Sequence, residues 1–131
     1  MIIDTSALIA ILFDEAPAAR LVDAIAASEL RRVGAPSLVE TAAVMNARKG
    51  PAGEIVLDAL MARLGIGVAP FTADAAARAR AAYQRFGRGV GSPGVLNFGD
   101  CLAYGIAKSV GEPLLFVGDD FSRTDVEVAP Y

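Results

Sequence analysis

A chain of 131 residues with 54% hydrophobic side chains and a net charge of −3 has the length for one core and the composition of a folded domain, which excludes disorder. One cysteine and no histidine exclude a disulfide framework, cysteine- or histidine-based zinc sites and a Ser–His–Asp triad. No uncharged apolar run approaches the roughly 20 residues that cross a bilayer, and the first charge is Asp4 where a signal peptide would be basic, so a soluble cytoplasmic protein is expected.

In chain order, Met1–Ile3 reads as a buried strand that ends in Asp4, Thr5 and Ser6. A short helix then covers Ala7–Phe13. Pro17 suits the first turn of a second helix running to about Ser28, with Leu21, Val22 and Ile25 on one face. Leu30–Ala35 is expected to be a strand, and Pro36 and Ser37 lead into a helix carrying Leu38, Val39, Ala42, Ala43 and Val44. Gly50–Pro51 punctuates the chain. A helix over Ala52–Leu64 follows, then a strand within Gly65–Phe71. Thr72 is a good N-cap for an alanine-rich helix over Ala73–Phe86. Gly87–Gly94 is a glycine-rich loop, and without a following Gly-Lys-[Ser/Thr] it is no P-loop. A long helix spans Asn97–Val110, a strand Leu114–Val117 and a turn Gly118–Asp120; Val126–Ala129 is a weak edge strand. The alternation predicts a three-layer α/β fold: a single domain over 1–131, with a mostly parallel sheet of four or five strands and helices on both faces. The all-helical bundle suggested by the alanine content is the rival.

In such a fold the ligand crevice lies beyond the carboxyl ends of the strands. Asp4 and the pair Asp119–Asp120 occupy such ends, each directly after an apolar run. Glu40 sits among Leu38, Val39, Ala42 and Ala43, and Asp100 lies early in the last long helix. Carboxylates embedded in apolar elements are costly unless solvated, hydrogen-bonded or holding a cation. Gathered together they raise one another's pKa, and a divalent cation removes that penalty. An all-oxygen set suits Mg²⁺ or Mn²⁺, and metal-assisted phosphodiester hydrolysis is chemistry it performs well. Each acid also has a plainer explanation: Asp4 as a helix cap, Glu40 on a solvated face, Asp100 as a first-turn acid, one of Asp119 and Asp120 as a turn residue. Cys101 has no histidine to activate it and reads as a small buried residue.

These segments together resemble the PIN-domain ribonucleases, and among them the VapC-type toxins of bacterial toxin–antitoxin pairs. IIDTSALIAIL is similar to that family's first strand and helix and puts its first acid at Asp4. PSLVETAAV puts the second at Glu40, LNFGDCLAYGIAK the third at Asp100, and LLFVGDDFSRTDV the fourth at the acid preceding a phenylalanine, Asp120. The resemblance runs from Met1 to Val126. It implies a Mg²⁺-dependent endoribonuclease with Asp4 and Asp100 as metal ligands, Glu40 and Asp120 completing the pocket, and Thr5 and Ser6 bonding around the first carboxylate. It also implies structured tRNA or rRNA targets, a cognate protein antitoxin and a homodimer. An antitoxin arginine would reach the acids while its tail folds onto surface near Leu8, Leu12 and Leu38–Val44. Arg78, Arg80, Arg85 and Arg88 are candidates for phosphate contacts. Two rivals are set against this reading. One is a binding module that cleaves nothing. The other is a phosphatase with Asp4 as nucleophile; haloacid-dehalogenase-like enzymes want a second acid two residues on, where this chain has Ser6.

Overall fold

In the computed structural model, which describes residues 1–131, the strands are β1 (Ile2–Ile3), β2 (Arg32–Gly34), β3 (Gly67–Ala69) and β4 (Leu114–Leu115). The helices are α1 (Thr5–Leu12), α2 (Ala18–Ala27), α3 (Ala35–Lys49), α4 (Ala52–Leu64), α5 (Ala73–Phe86) and α6 (Phe98–Val110). All strand pairs are parallel, in the order β3-β2-β1-β4. Ile2 pairs with Arg32 and Leu114, and Ile3 with Val33 and Leu115.

Parallel strands are covered on both faces, and the pleat divides the apolar residues between two cores. Ile2 and Leu114 join a core with Ala75, Ala79, Ala103 and Ile106 from α5 and α6. Ile3, Val33 and Leu115 join another with Leu8, Leu21, Ile25, Leu60 and Leu64 from α1, α2 and α4. The three layers match the expected class, and the bundle is ruled out. The alanines serve a close crossing of α5 and α6, where a Cβ on Gly105 would meet the Ala75 carbonyl and lie 2.9 Å from Ala79 Cβ.

Several boundaries shift for physical reasons. The first helix begins at Thr5, two residues before the expected Ala7, because Asp4 caps it. Ala35, Pro36 and Ser37 form the first turn of α3, where proline costs no hydrogen bond. The strand expected over Leu114–Val117 pairs only at Leu114–Leu115, since the Val117 amide donates to Ser6 Oγ at 3.0 Å. Val126–Ala129 reduces to one parallel bridge, Leu114 with Val128. Leu8 is fully buried, so it belongs to the core and offers no docking surface.

The chain steps from β1 through β2 to β3 in one direction, then returns to place β4 on the other flank of β1. The carboxyl ends of β1 and β4 therefore meet at a topological switch point, where a crevice opens between diverging connections.

Candidate active site

Asp4 leaves β1 at this point and is 6% exposed, one of very few buried polar residues. Its Oδ2 accepts hydrogen bonds from the Ser6 amide at 2.9 Å and from Ser6 Oγ at 2.6 Å. The capping role is therefore real, and it does not exhaust the residue. Burial pushes the Asp4 carboxyl above its ordinary range, opposed by the Ser6 bonds and aided by the charge of Glu40. Ser6 works twice, because its oxygen also accepts from the Val117 amide beyond β4. A single hydroxyl thus ties the first carboxylate to the far strand.

Glu40, on α3, is exposed at the rim. Its Oε2 accepts from Thr5 Oγ1 at 2.8 Å, a bond 35 residues apart in sequence that fixes α3 against the start of α1. The Thr5 hydroxyl thus serves the second acid, while its backbone amide joins Ser6 in favouring the ionised first. Gly99, in the first turn of α6, lets the Glu40 carboxylate approach: a Cβ there would sit 3.2 Å from Oε2.

Asp100 is fixed by a capping box. Its Oδ2 accepts from the Asn97 amide at 2.7 Å, and its own amide donates to Asn97 Oδ1 at 2.9 Å. Asn97 thereby both caps the helix and orients this acid. Burial, then the charges of Asp4 and Asp120, push the Asp100 carboxyl up to about 6, against the pull of the Asn97 amide and of Arg88.

After β4 the two adjacent aspartates separate in role. Asp119 is exposed, and its carbonyl accepts from the Ser122 amide and Oγ to close the turn Phe121–Arg123. Asp120 faces Asp100 and pairs with Arg88, Nη2 to Oδ1 at 3.1 Å. All four expected acids thus come within electrostatic reach of a neighbour in the quartet, from four separate segments.

Asp4, Glu40 and Asp100 make no ion pair in the fold, although two of them are disfavoured as anions by burial and mutual repulsion. That uncompensated charge, on hard oxygen donors, fits a divalent cation. No three carboxylates close tightly enough to enclose an ion by themselves. The fit is accordingly to an open site of few protein ligands, such as suits a cation that keeps several waters.

The four candidate arginines differ in their partners within the fold. Arg78 pairs with Asp74 one turn away, and Arg85 with Asp125, which also accepts from Tyr104 at 2.6 Å. Of the four candidates, only Arg88 reaches the acids. Sequence reasoning missed the Thr5–Glu40 bond and the acidic partner of Arg88, both long-range pairings that no local pattern announces.

A family model for the PIN domain matches residues 1–127. Ribonuclease VapC28 of Mycobacterium tuberculosis is 47% identical over 129 residues, covering 98% of this chain and 97% of that protein. Ribonuclease VapC30 of the same organism is 46% identical over 126 residues, covering 96% and 95%. Among solved structures, Mycobacterium tuberculosis VapC20, described as a sarcin-ricin loop cleaving toxin, superposes with a TM-score of 0.77 at 21% identity over 98% of both chains. Rickettsia felis VapBC2, bound to a DNA fragment from its promoter, superposes with a TM-score of 0.75 at 14% identity, covering 97% of this chain and 94% of that one. The last two similarities are of fold.

Proposed function

The chain belongs to the PIN-domain family, among its VapC-type ribonucleases, and from that membership we propose how its residues cut RNA. It is a divalent-metal-dependent endoribonuclease toxin of an α/β fold. Residues 1–131 form one PIN domain.

Asp4 and Asp100 hold the cation, Mg²⁺ or Mn²⁺, directly or through water. When bound, such an ion acidifies a coordinated water and offsets charge on the attacked phosphate. Glu40, held at the rim by Thr5, and Asp120 complete the pocket and orient the attacking water. Ser6 keeps Asp4 in place and Asn97 keeps Asp100 in place, so that neither has to reorganise during reaction. The observation that carries this reading is the convergence of four carboxylates at the switch point, three of them without an ion pair.

The substrate is RNA, with structured tRNA or rRNA as the class. A cognate antitoxin shuts the site by presenting an arginine to Asp4, Glu40 or Asp100, since a guanidinium fork engages a carboxylate bidentately. Its tail lies in the apolar groove between α1 and α4, lined by Ile11, Leu12, Val56, Ala59, Leu60 and Arg63. A homodimer is supported by a different face, where Phe98 and Val39 are 72% and 69% exposed beside Phe71 and Tyr83. No helix is long and apolar enough to cross a membrane, and the cytoplasm, where RNA and antitoxin meet, is the proposed location.

Asp4→Asn tests the mechanism, because it removes one charge and keeps the shape. Cleavage of labelled RNA in Mg²⁺ is expected to fall by about 10²–10³-fold, the scale of losing one preorganised electrostatic group. Cleavage at the parent rate would mean that Asp4 is not a ligand. A phosphorylated aspartate trapped at Asp4 would instead identify a phosphatase.

A further inference from the structure

Arg88 is held more firmly than its position in a glycine-rich loop suggests. Its amide donates to the Leu96 carbonyl at 2.9 Å, and its Nε donates to the Val95 carbonyl at 2.9 Å. Both bonds lock the base of the loop 87–96. The fork then extends over the site, with Nη2 on Asp120 Oδ1 at 3.1 Å. Nη1 donates to no protein group, and the side chain is 57% exposed. The charge also reaches Asp100, whose ionised form it favours. Nothing equivalent faces Asp4 or Glu40, which are held by uncharged hydroxyls.

Resting on the ribonuclease reading, we propose that Arg88 is the built-in second cation of the site: it neutralises Asp120, confines the divalent ion to the Asp4–Asp100 side, and presents Nη1 to the scissile phosphate. A permanent guanidinium is suited to this, since it cannot lose its proton and it matches phosphate geometry. One divalent ion together with Arg88 offsets three of the quartet's four negative charges. A second ion at Asp120 would have to displace an arginine that the backbone already fixes. The enzyme is then a one-metal nuclease in which arginine does the work a second metal does in two-metal sites.

The test counts Mn²⁺ bound per chain, by calorimetry and by electron paramagnetic resonance, for the parent protein, Arg88→Lys and Arg88→Ala. The parent and Arg88→Lys are expected to bind one ion, and Arg88→Ala two. RNA cleavage by Arg88→Ala is expected to be slower by about a hundredfold at Mn²⁺ that fills the first site, and to recover as the second fills. Arg88 is exposed, and a cooperative melting transition in each variant checks that it folds. A single Mn²⁺ in Arg88→Ala overturns the proposal whatever the rate, and so do two in the parent. A parent protein that neither binds Mn²⁺ nor cuts RNA would overturn the ribonuclease reading itself.

Discussion

On one side of the site Asp4 and Glu40 are held by the hydroxyls of Ser6 and Thr5; on the other, Asp100 is held by a backbone amide and Asp120 by an arginine. Both sides immobilise their carboxylates, but only the second brings a positive charge. Hydroxyl and amide donors fix geometry without cancelling charge, so repulsion persists where Asp4 meets Glu40 and Asp100. The difference teaches where an external cation has most to gain. It gains most on the hydroxyl-held side, where the fold leaves the charge uncompensated.

The largest effect is expected at Ser6. Ser6→Ala removes a bond to a buried carboxylate and strands the Val117 amide, and is expected to cost about 1–3 kcal/mol of stability, measured by urea unfolding in EDTA. Thr5→Val removes the bond to an exposed carboxylate and a longer one, 3.3 Å, to the Ser37 carbonyl. It is expected to change stability by less than about 1 kcal/mol, while slowing RNA cleavage through a misplaced Glu40. Equal losses of stability in the two variants would erase the distinction drawn between the buried and the rim carboxylate.

A smaller effect is expected from pH. An unperturbed aspartate titrates near about 4, and Asp100 is pushed up to about 6, with Asp4 also raised. The folded chain therefore holds more protons than the unfolded chain between these values. Stability then falls as pH rises through that window. Glu112 and Asp125 shift the other way, and their contribution is lost only below their ordinary range. In EDTA the melting temperature is thus expected to rise as pH is lowered from about 7 to about 5. Asp100→Asn should reduce that rise. Saturating Mg²⁺ should reverse the slope, because the ion binds the deprotonated acids.

The layers of the fold were legible because strands β1 and β4 are apolar runs that end at polar turns, and each long helix carries a cap or a proline at its start. Asp4 and Asp120 were legible for the same reason, as charges just beyond such runs, and Asp100 as an acid early in a capped helix. What was not legible is what depends on distance in space. The end of β4 is set by a serine over a hundred residues away. Arg88 read as one of four equivalent arginines until the fold paired Arg78 and Arg85 elsewhere. Leu8 carries the same apolar label as Leu12, yet lies in the core while Leu12 lines a groove.

If the carboxylates form one cation site anchored by Asp4 and Asp100, Mg²⁺ must raise the melting temperature through those two residues. Binding to the native state alone stabilises it in proportion to ligand occupancy, by about 2.7 kcal/mol at a hundredfold excess over Kd. The parent protein and Asp119→Asn should show the same rise at millimolar Mg²⁺. Asp4→Asn and Asp100→Asn should each show almost none, although relief of buried charge leaves both at least as stable as the parent in EDTA. An Asp4→Asn protein that Mg²⁺ stabilises as fully as the parent would contradict the account.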